Sequence, residues 1–114
     1  MIYGAFGSWG WPRDDQIAAF DAEYTNSYLP LVGQVPYVVR LDLWRADESG
    51  RESDVYRIGA MWFDDEERYR EAASTPEWEA MFARCYELID RYQVHMRFAY
   101  VHDVGPTPEP PSAG

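Results

Sequence analysis

Few side chains in this sequence can do acid-base or metal chemistry. The two histidines, His95 and His102, lie seven residues apart in "QVHMRFAYVH", and on an extended strand an odd spacing sends them to opposite faces. They cannot share one metal ion, and no cysteine pair or His-x-x-x-His helix spacing supplies another ligand set. No protein-built metal site is expected. Gly4, Gly7 and Gly10 are scattered without a dinucleotide-binding or P-loop pattern, so nucleotide cofactors lose support as well. No serine sits in a nucleophile elbow. What remains is His95 with Arg97 on one face of the last strand, and Arg40 with Asp42 on one face of an earlier one. Charges on packed strands are costly unless paired or used. His95 is the near-neutral base of this set, or else a satisfied structural histidine. Arg40, Asp42 and Arg97 suit either a pocket or an ion-pair network at an interface or sheet edge.

Aromatic residues are the other resource. Trp44, Trp62 and Trp78, with Phe6, Phe82, Tyr86 and Tyr24, are candidates to line a flat apolar cavity for an aromatic or polyketide-like ligand. Aromatic stripes are also the ordinary filling of a core. Five tryptophans in so short a chain favour the pocket, because each is large and brings an N–H that needs a partner.

The chain that must position these groups has 114 residues, 46% apolar and 17% aromatic, which is enough for one compact core. Ten arginines, no lysine and twenty acidic residues give a net charge of -10. That charge disfavours nucleic acid and anionic membranes as partners. The lone Cys85 excludes an intrachain disulfide and reads as core packing. With no basic and apolar leader, the expected location is cytoplasmic. No apolar run approaches the roughly 20 residues that a membrane helix needs.

Met1 to Trp9 mixes β-formers with glycines and reads as a buried central strand. Asp14 or Asp15 can cap a helix carrying Ile17, Phe20, Tyr24 and Tyr28 at helical steps. Pro30 should kink it or end it near Tyr28. Pro36 to Arg45 alternates, with Val39, Leu41 and Leu43 on one face and Val38, Arg40, Asp42 and Trp44 on the other. A polar hairpin loop with a Ser49-Gly50 turn leads to an antiparallel partner at Val55 to Phe63. Asp64 and Glu67 read as a capping box for a short helix to about Ala73. Thr75-Pro76 opens a longer helix with the stripe Trp78, Met81, Phe82, Cys85 and Tyr92. Gln93 to His102 is the last strand, and the Pro-rich residues 105–114 form a disordered tail. The order β-α-β-β-α-β predicts a ferredoxin-like α+β domain over residues 1–104: a four-stranded antiparallel sheet with helices on one face. Its other face needs a cover, and a second copy laid sheet to sheet as a homodimer is the economical one.

"FDAEYTNSYLPLVGQVP", "IGAMWFDDEER" and "STPEWEAMF" fall in an order and spacing that resembles the EthD-like branch of the dimeric α+β barrel superfamily, over roughly residues 1 to 103. In that family's Tyr-x-x-x-His-x-Pro-Leu pattern the histidine position is occupied here by Tyr28. The Pro-Leu turns the helix end inward and aims Tyr28 at the space between helix and sheet. A tyrosine keeps a donor and an acceptor but gives up the near-neutral pKa, leaving hydrogen bonding to a carbonyl or a plain core role. The resemblance implies a homodimeric enzyme for a small hydrophobic substrate, in a superfamily of cyclases, isomerases, decarboxylases, cofactor-free monooxygenases and haem enzymes. Cofactor-independent cyclisation or isomerisation is placed first: His95 accepts a proton, Tyr28 bonds the enolate oxygen, and Arg40 or Arg97 stabilises its charge. Cofactor-free oxygenation of a phenol or anthrone is the alternative, and a non-catalytic accessory protein of a redox pathway is the third. Haem, on His95 or His102, ranks lower, since the sequence carries no haem signature of its own.

Overall fold

Alternating segments build one antiparallel sheet from β1 (Tyr3–Trp9), β2 (Arg40–Arg45), β3 (Arg57–Phe63) and β4 (Met96–His102), in the order β2-β3-β1-β4. The computed structural model describes residues 2–47, 49, 51–106 and 108–111. β1 is central, as its glycines suggest. At Gly4 a Cβ would stand 2.8 Å from the Trp62 ring, so the missing side chain is what lets that indole lie down on the strand.

Register assigns the two faces. Ala5 stands opposite Met61 and Tyr100, Gly7 opposite Gly59 and Phe98, and Trp9 opposite Arg57 and Met96. Leu41 and Leu43 join this face from β2 through their pairing with Met61 and Gly59. The opposite face carries Phe6, Ile58, Ala60, Trp62, Ala99 and Val101, with Arg40, Asp42, Trp44 and Arg97.

The helices α1 (Ile17–Glu23), α2 (Leu29–Val32), α3 (Glu66–Ala73) and α4 (Pro76–Tyr92) all pack on the first face. Trp9, Phe20, Tyr24, Tyr56, Phe63 and Leu88 are buried between the layers. Each such side chain contributes about 1.5–3 kcal/mol by leaving water. Thr75 caps α4 by accepting from the Trp78 N–H at 3.3 Å, and Pro76 fills the first turn, where no N–H is needed. The stripe Trp78, Met81, Cys85, Leu88 and Tyr92 is buried.

Several boundaries differ from expectation for identifiable reasons. The cap of α3 is Asp65 rather than Asp64, since the Asp65 carboxylate accepts from the Arg68 N–H at 2.8 Å. Neither Asp14 nor Asp15 caps α1; Asp14–Gln16 form a 3-10 turn, and no side-chain cap bond is present. β2 begins at Arg40, because Tyr37 takes a left-handed φ of 69° and the chain turns at Pro36-Tyr37. β4 begins at Met96, because Gln93 closes α4 with φ 53°. Met1 and Gly50, parts of the expected first strand and hairpin turn, lie outside the described residues.

The largest difference is at Pro30. The helix neither breaks nor leaves at Leu29. It widens into a π-helix at Tyr24–Tyr28, where the Leu29 N–H reaches back to the Tyr24 carbonyl, and then continues as α2 to Val32. Pro30 has no N–H to give to Asn26, four residues earlier. Thr25 and Asn26 are exposed, so water can serve the carbonyl left over. The Ser27 hydroxyl donates to the Glu23 carbonyl at 2.7 Å, a back-bond that helps to open the turn.

Beyond β4, the described residues from Asp103 on form neither helix nor strand and are exposed. Removing residues 106–114 is expected to leave the melting temperature unchanged; a large drop in a thermal scan would show that the tail docks.

Candidate active site

Between the helices and the first sheet face lies a narrow cleft with room inside for about 40 Å³ of water-sized molecules, widening at its open mouth. Trp9 floors it from β1. Tyr24 and Tyr28 hang over it from the π-helix, with ring centroids 5.8 and 5.2 Å from that of Trp9 and 5.4 Å from each other. In a regular α-helix residues four apart share a face, and the widened turn keeps both tyrosines on the cleft. α4 contributes Trp78, Met81, Phe82 and Cys85; β4 contributes Met96, Phe98 and Tyr100. Trp78, Phe82 and Phe98 are packed in series at 5.2 and 5.3 Å. Leu41 and Leu43 close the β2 side and are themselves partly exposed.

Among the described residues, no charged one lines this space. Its polar groups include the hydroxyls of Tyr24, Tyr28 and Tyr100, the Cys85 thiol and the indole N–H groups of Trp9 and Trp78. Burial raises the Tyr28 pKa well above the tyrosine range, with Cys85 and Tyr24 adding smaller pushes. Burial also lifts Tyr24 to about 12 against the pull of Arg57, and lifts Cys85 to about 12. All three groups are therefore neutral near pH 7.

The sign of the linkage follows. The unfolded thiol and phenol ionise near 9.0 and 10.0, before their folded counterparts. The stability that comes from keeping them neutral is fully present below those values and is lost as pH rises towards about 12. Denaturant midpoints are expected to fall steadily above pH 9, and Cys85→Ala should flatten the early part of that fall; an unchanged slope would refute the assignment.

Just behind Tyr24 sits the nearest cation. The Arg57 guanidinium lies 4.7 Å from the Tyr24 ring centroid and donates to Asp21 at 2.9 Å. Asp21 also accepts from the Tyr56 hydroxyl at 2.7 Å. On the far side of α1, Glu23 accepts from Arg91 and Tyr92 of α4. These bonds tie the residues just before the π-helix to β3 and to α4.

The residues proposed from sequence divide between the two sheet faces. Tyr24, Tyr28, Trp78 and Phe82 line the cleft. Phe6 borders it from β1, but its ring meets Trp62 edge-on at 5.3 Å on the other face. Tyr86 is exposed outside Phe82. Trp44 and Trp62 face away from the cleft, and Trp62 Nε1 donates to Asp42 at 3.0 Å while Arg40 pairs with Asp42 at 3.0 Å. His95 and Arg97 lie near Asp54 at the rim of that same outer face, with Arg97 3.8 Å from Asp54. The structure does not bring His95, Arg97, Arg40 or Asp42 together with Tyr28. Neither histidine lines the cleft, which therefore offers no axial imidazole for a haem. Trp9, Tyr100 and Arg57 were missed, although the strand parities that place Trp9 and Tyr100 beside the helices are readable.

With this geometry the chain can be set beside known proteins. No family sequence model matches it. An uncharacterized 11.0 kDa protein from the thcB-thcC intergenic region of Rhodococcus erythropolis is 31% identical over 61 residues, covering 53% of this chain and 59% of that protein. The match thus spans less than two thirds of the relative. Among solved structures, an EthD family protein from Bacillus halodurans superposes with a TM-score of 0.76 at 23% identity, covering 91% of this chain and 100% of the other. SnoaB, a cofactor-independent oxygenase from Streptomyces nogalater, gives 0.61 at 16% identity over 94% and 98%. A dimeric protein of ferredoxin-like fold from Bacteroides fragilis gives 0.60 at 8% identity over 90% and 96%. These likenesses show the fold: ferredoxin-like, shared with an EthD protein and with a dimeric relative, as the EthD-like resemblance implied.

Proposed function

We propose that this chain is an enzyme that oxygenates an electron-rich, hydrophobic aromatic of polyketide type, held in the helix–sheet cleft, and that it works as an EthD-like homodimer. The observation that carries this reading is a cleft walled by aromatic and sulfur-containing side chains, free of charge among the described residues, with tyrosine hydroxyls among its polar groups. Such a space suits a flat apolar ligand with one carbonyl or phenol oxygen. At that oxygen Tyr28 donates a hydrogen bond as negative charge develops. The substrate loses its proton to solvent at the open mouth of the cleft, and its anion then reduces molecular oxygen; at a methylene carbon, one oxygen atom becomes the new carbonyl and the other leaves as hydroxide, which takes up the released proton to give water. SnoaB, of the same fold, supports this choice.

Cyclisation or isomerisation draws less support from the geometry, because returning a proton to a chosen carbon needs a positioned side-chain acid or base, and His95 lies on the other side of the sheet. The test is oxygen uptake by the purified protein with a panel of anthrones and phenols. Uptake matched to product is expected; rearranged product without uptake would favour the isomerase reading, and binding without turnover the accessory one.

A further inference from the structure

We infer that Tyr24 and Tyr28 together form a two-hydroxyl oxyanion site that selects ionised phenols and enolates over their neutral forms, with Arg57 fixed behind Tyr24 as its cation. The inference rests on the cleft being a ligand site, and it adds the ionisation state of the ligand. Tyr24 and Tyr28 are 1% and 9% exposed, and both line the cleft. Among the described residues neither hydroxyl has a hydrogen-bond partner, in contrast to Tyr56 and Tyr92, whose hydroxyls donate to Asp21 and Glu23. Neither oxygen is among the fully enclosed unpartnered polar atoms, so both are reachable and free to donate to a ligand.

The choice of an anion follows from what surrounds them. Among the described residues, no carboxylate lines the cleft to repel one. The groups facing the tyrosines are Trp9 from β1, neutral Cys85 from α4, and Arg57 with its partner Asp21. Arg57 is the strongest charge acting on Tyr24, opposed in part by its partner Asp21. Both tyrosines stay protonated, and a protonated phenol donates best to a charged oxygen. An oxyanion brought into an apolar cleft is stable only if paired or hydrogen-bonded. Two hydroxyl donors on the cleft supply the hydrogen bonds, and Arg57, behind the Tyr24 ring and outside the lining, adds its charge at longer range.

The experiment uses 4-nitrophenol, whose ionised form is yellow, with 4-nitroanisole as a probe of similar shape that cannot ionise. With the full chain in excess, absorbance is followed against pH. The bound nitrophenol is expected to ionise at least about one pH unit lower than in water, which means about tenfold tighter binding of the phenolate. Tyr24→Phe and Tyr28→Phe keep the rings and should each reduce that preference. Arg57→Gln should reduce it too, and Arg57→Lys should restore most of it. If Arg57→Gln does not fold, the two phenylalanine variants still decide. A bound nitrophenol that ionises at the same or higher pH than in water, with 4-nitroanisole still bound, would overturn the oxyanion site and leave the cleft as a ligand site. Binding of neither probe would overturn both.

Discussion

Tyr28→Phe is expected to lower turnover by roughly ten- to a thousandfold, the usual cost of removing one oriented donor at a developing oxyanion, with an unchanged melting temperature. The ring stays against Trp9 at 5.2 Å, so packing is preserved and only the hydroxyl is lost. Tyr28→Ala serves as the structural counterpart. It empties a site under the π-helix and should cost about 3–5 kcal/mol of stability. His95→Ala is the second control. A general base is typically worth about 10²- to 10⁴-fold, yet His95 lies across the sheet from Tyr28, so turnover is expected to remain within about twofold. Full activity of Tyr28→Phe at unchanged stability would sink the role given to its hydroxyl, and a collapse of activity in His95→Ala would return that histidine to the chemistry.

A large effect is also expected at Trp44, on self-association. The sheet face away from the helices carries Phe6, Ile58, Trp62 and Val101 beside the half-exposed Trp44. In a molecule of net charge -10, this face pairs Arg40 with Asp42 and Arg97 with Asp54. It is apolar and locally balanced in charge, which suits a second copy. Such a contact should bury more than roughly 1,000 Å². A buried interfacial tryptophan is commonly worth about 2 kcal/mol or more, and a symmetric pair loses it twice. Trp44→Glu is therefore expected to convert a micromolar dimer into a monomer by sedimentation, while the cleft, on the opposite face, keeps its ligand. A parent chain that sediments as a monomer would defeat the idea.

The sheet, its order of elements and both strand faces were legible because alternation is a local signal: Leu41 and Leu43 against Arg40 and Asp42 show it directly. The site was legible only in part. Tyr28 was found through its place before Pro30. His95, Arg97, Arg40 and Asp42 were grouped with it because they are the chemically able side chains, and type carries no information on which side of a sheet a residue faces the ligand. The parities had already separated Arg40 and Asp42 from Leu41, and His95 from Phe98. What was missing was which parity the helices cover, and that depends on contacts such as Trp9 with Phe20 and Phe82 with Phe98. Arg57 was invisible for a similar reason, since its partner Asp21 and the Tyr24 ring are far from it in sequence.

The widened turn at Tyr24–Tyr28 can be read as one residue's worth of extra length inside an otherwise ordinary helix. Each residue of an α-helix turns about 100°, so excising a single exposed residue such as Asn26 would restore regular pitch and leave Tyr24 and Tyr28 three apart, on the same face but with their rings shifted against each other. Pro30 would then fall back into a regular helix that cannot accommodate it without a kink. The segment should therefore tolerate side-chain changes at its solvent side far better than any change in chain length. Its indel pattern, more than its residue identities, would be the trace left by selection for the ligand.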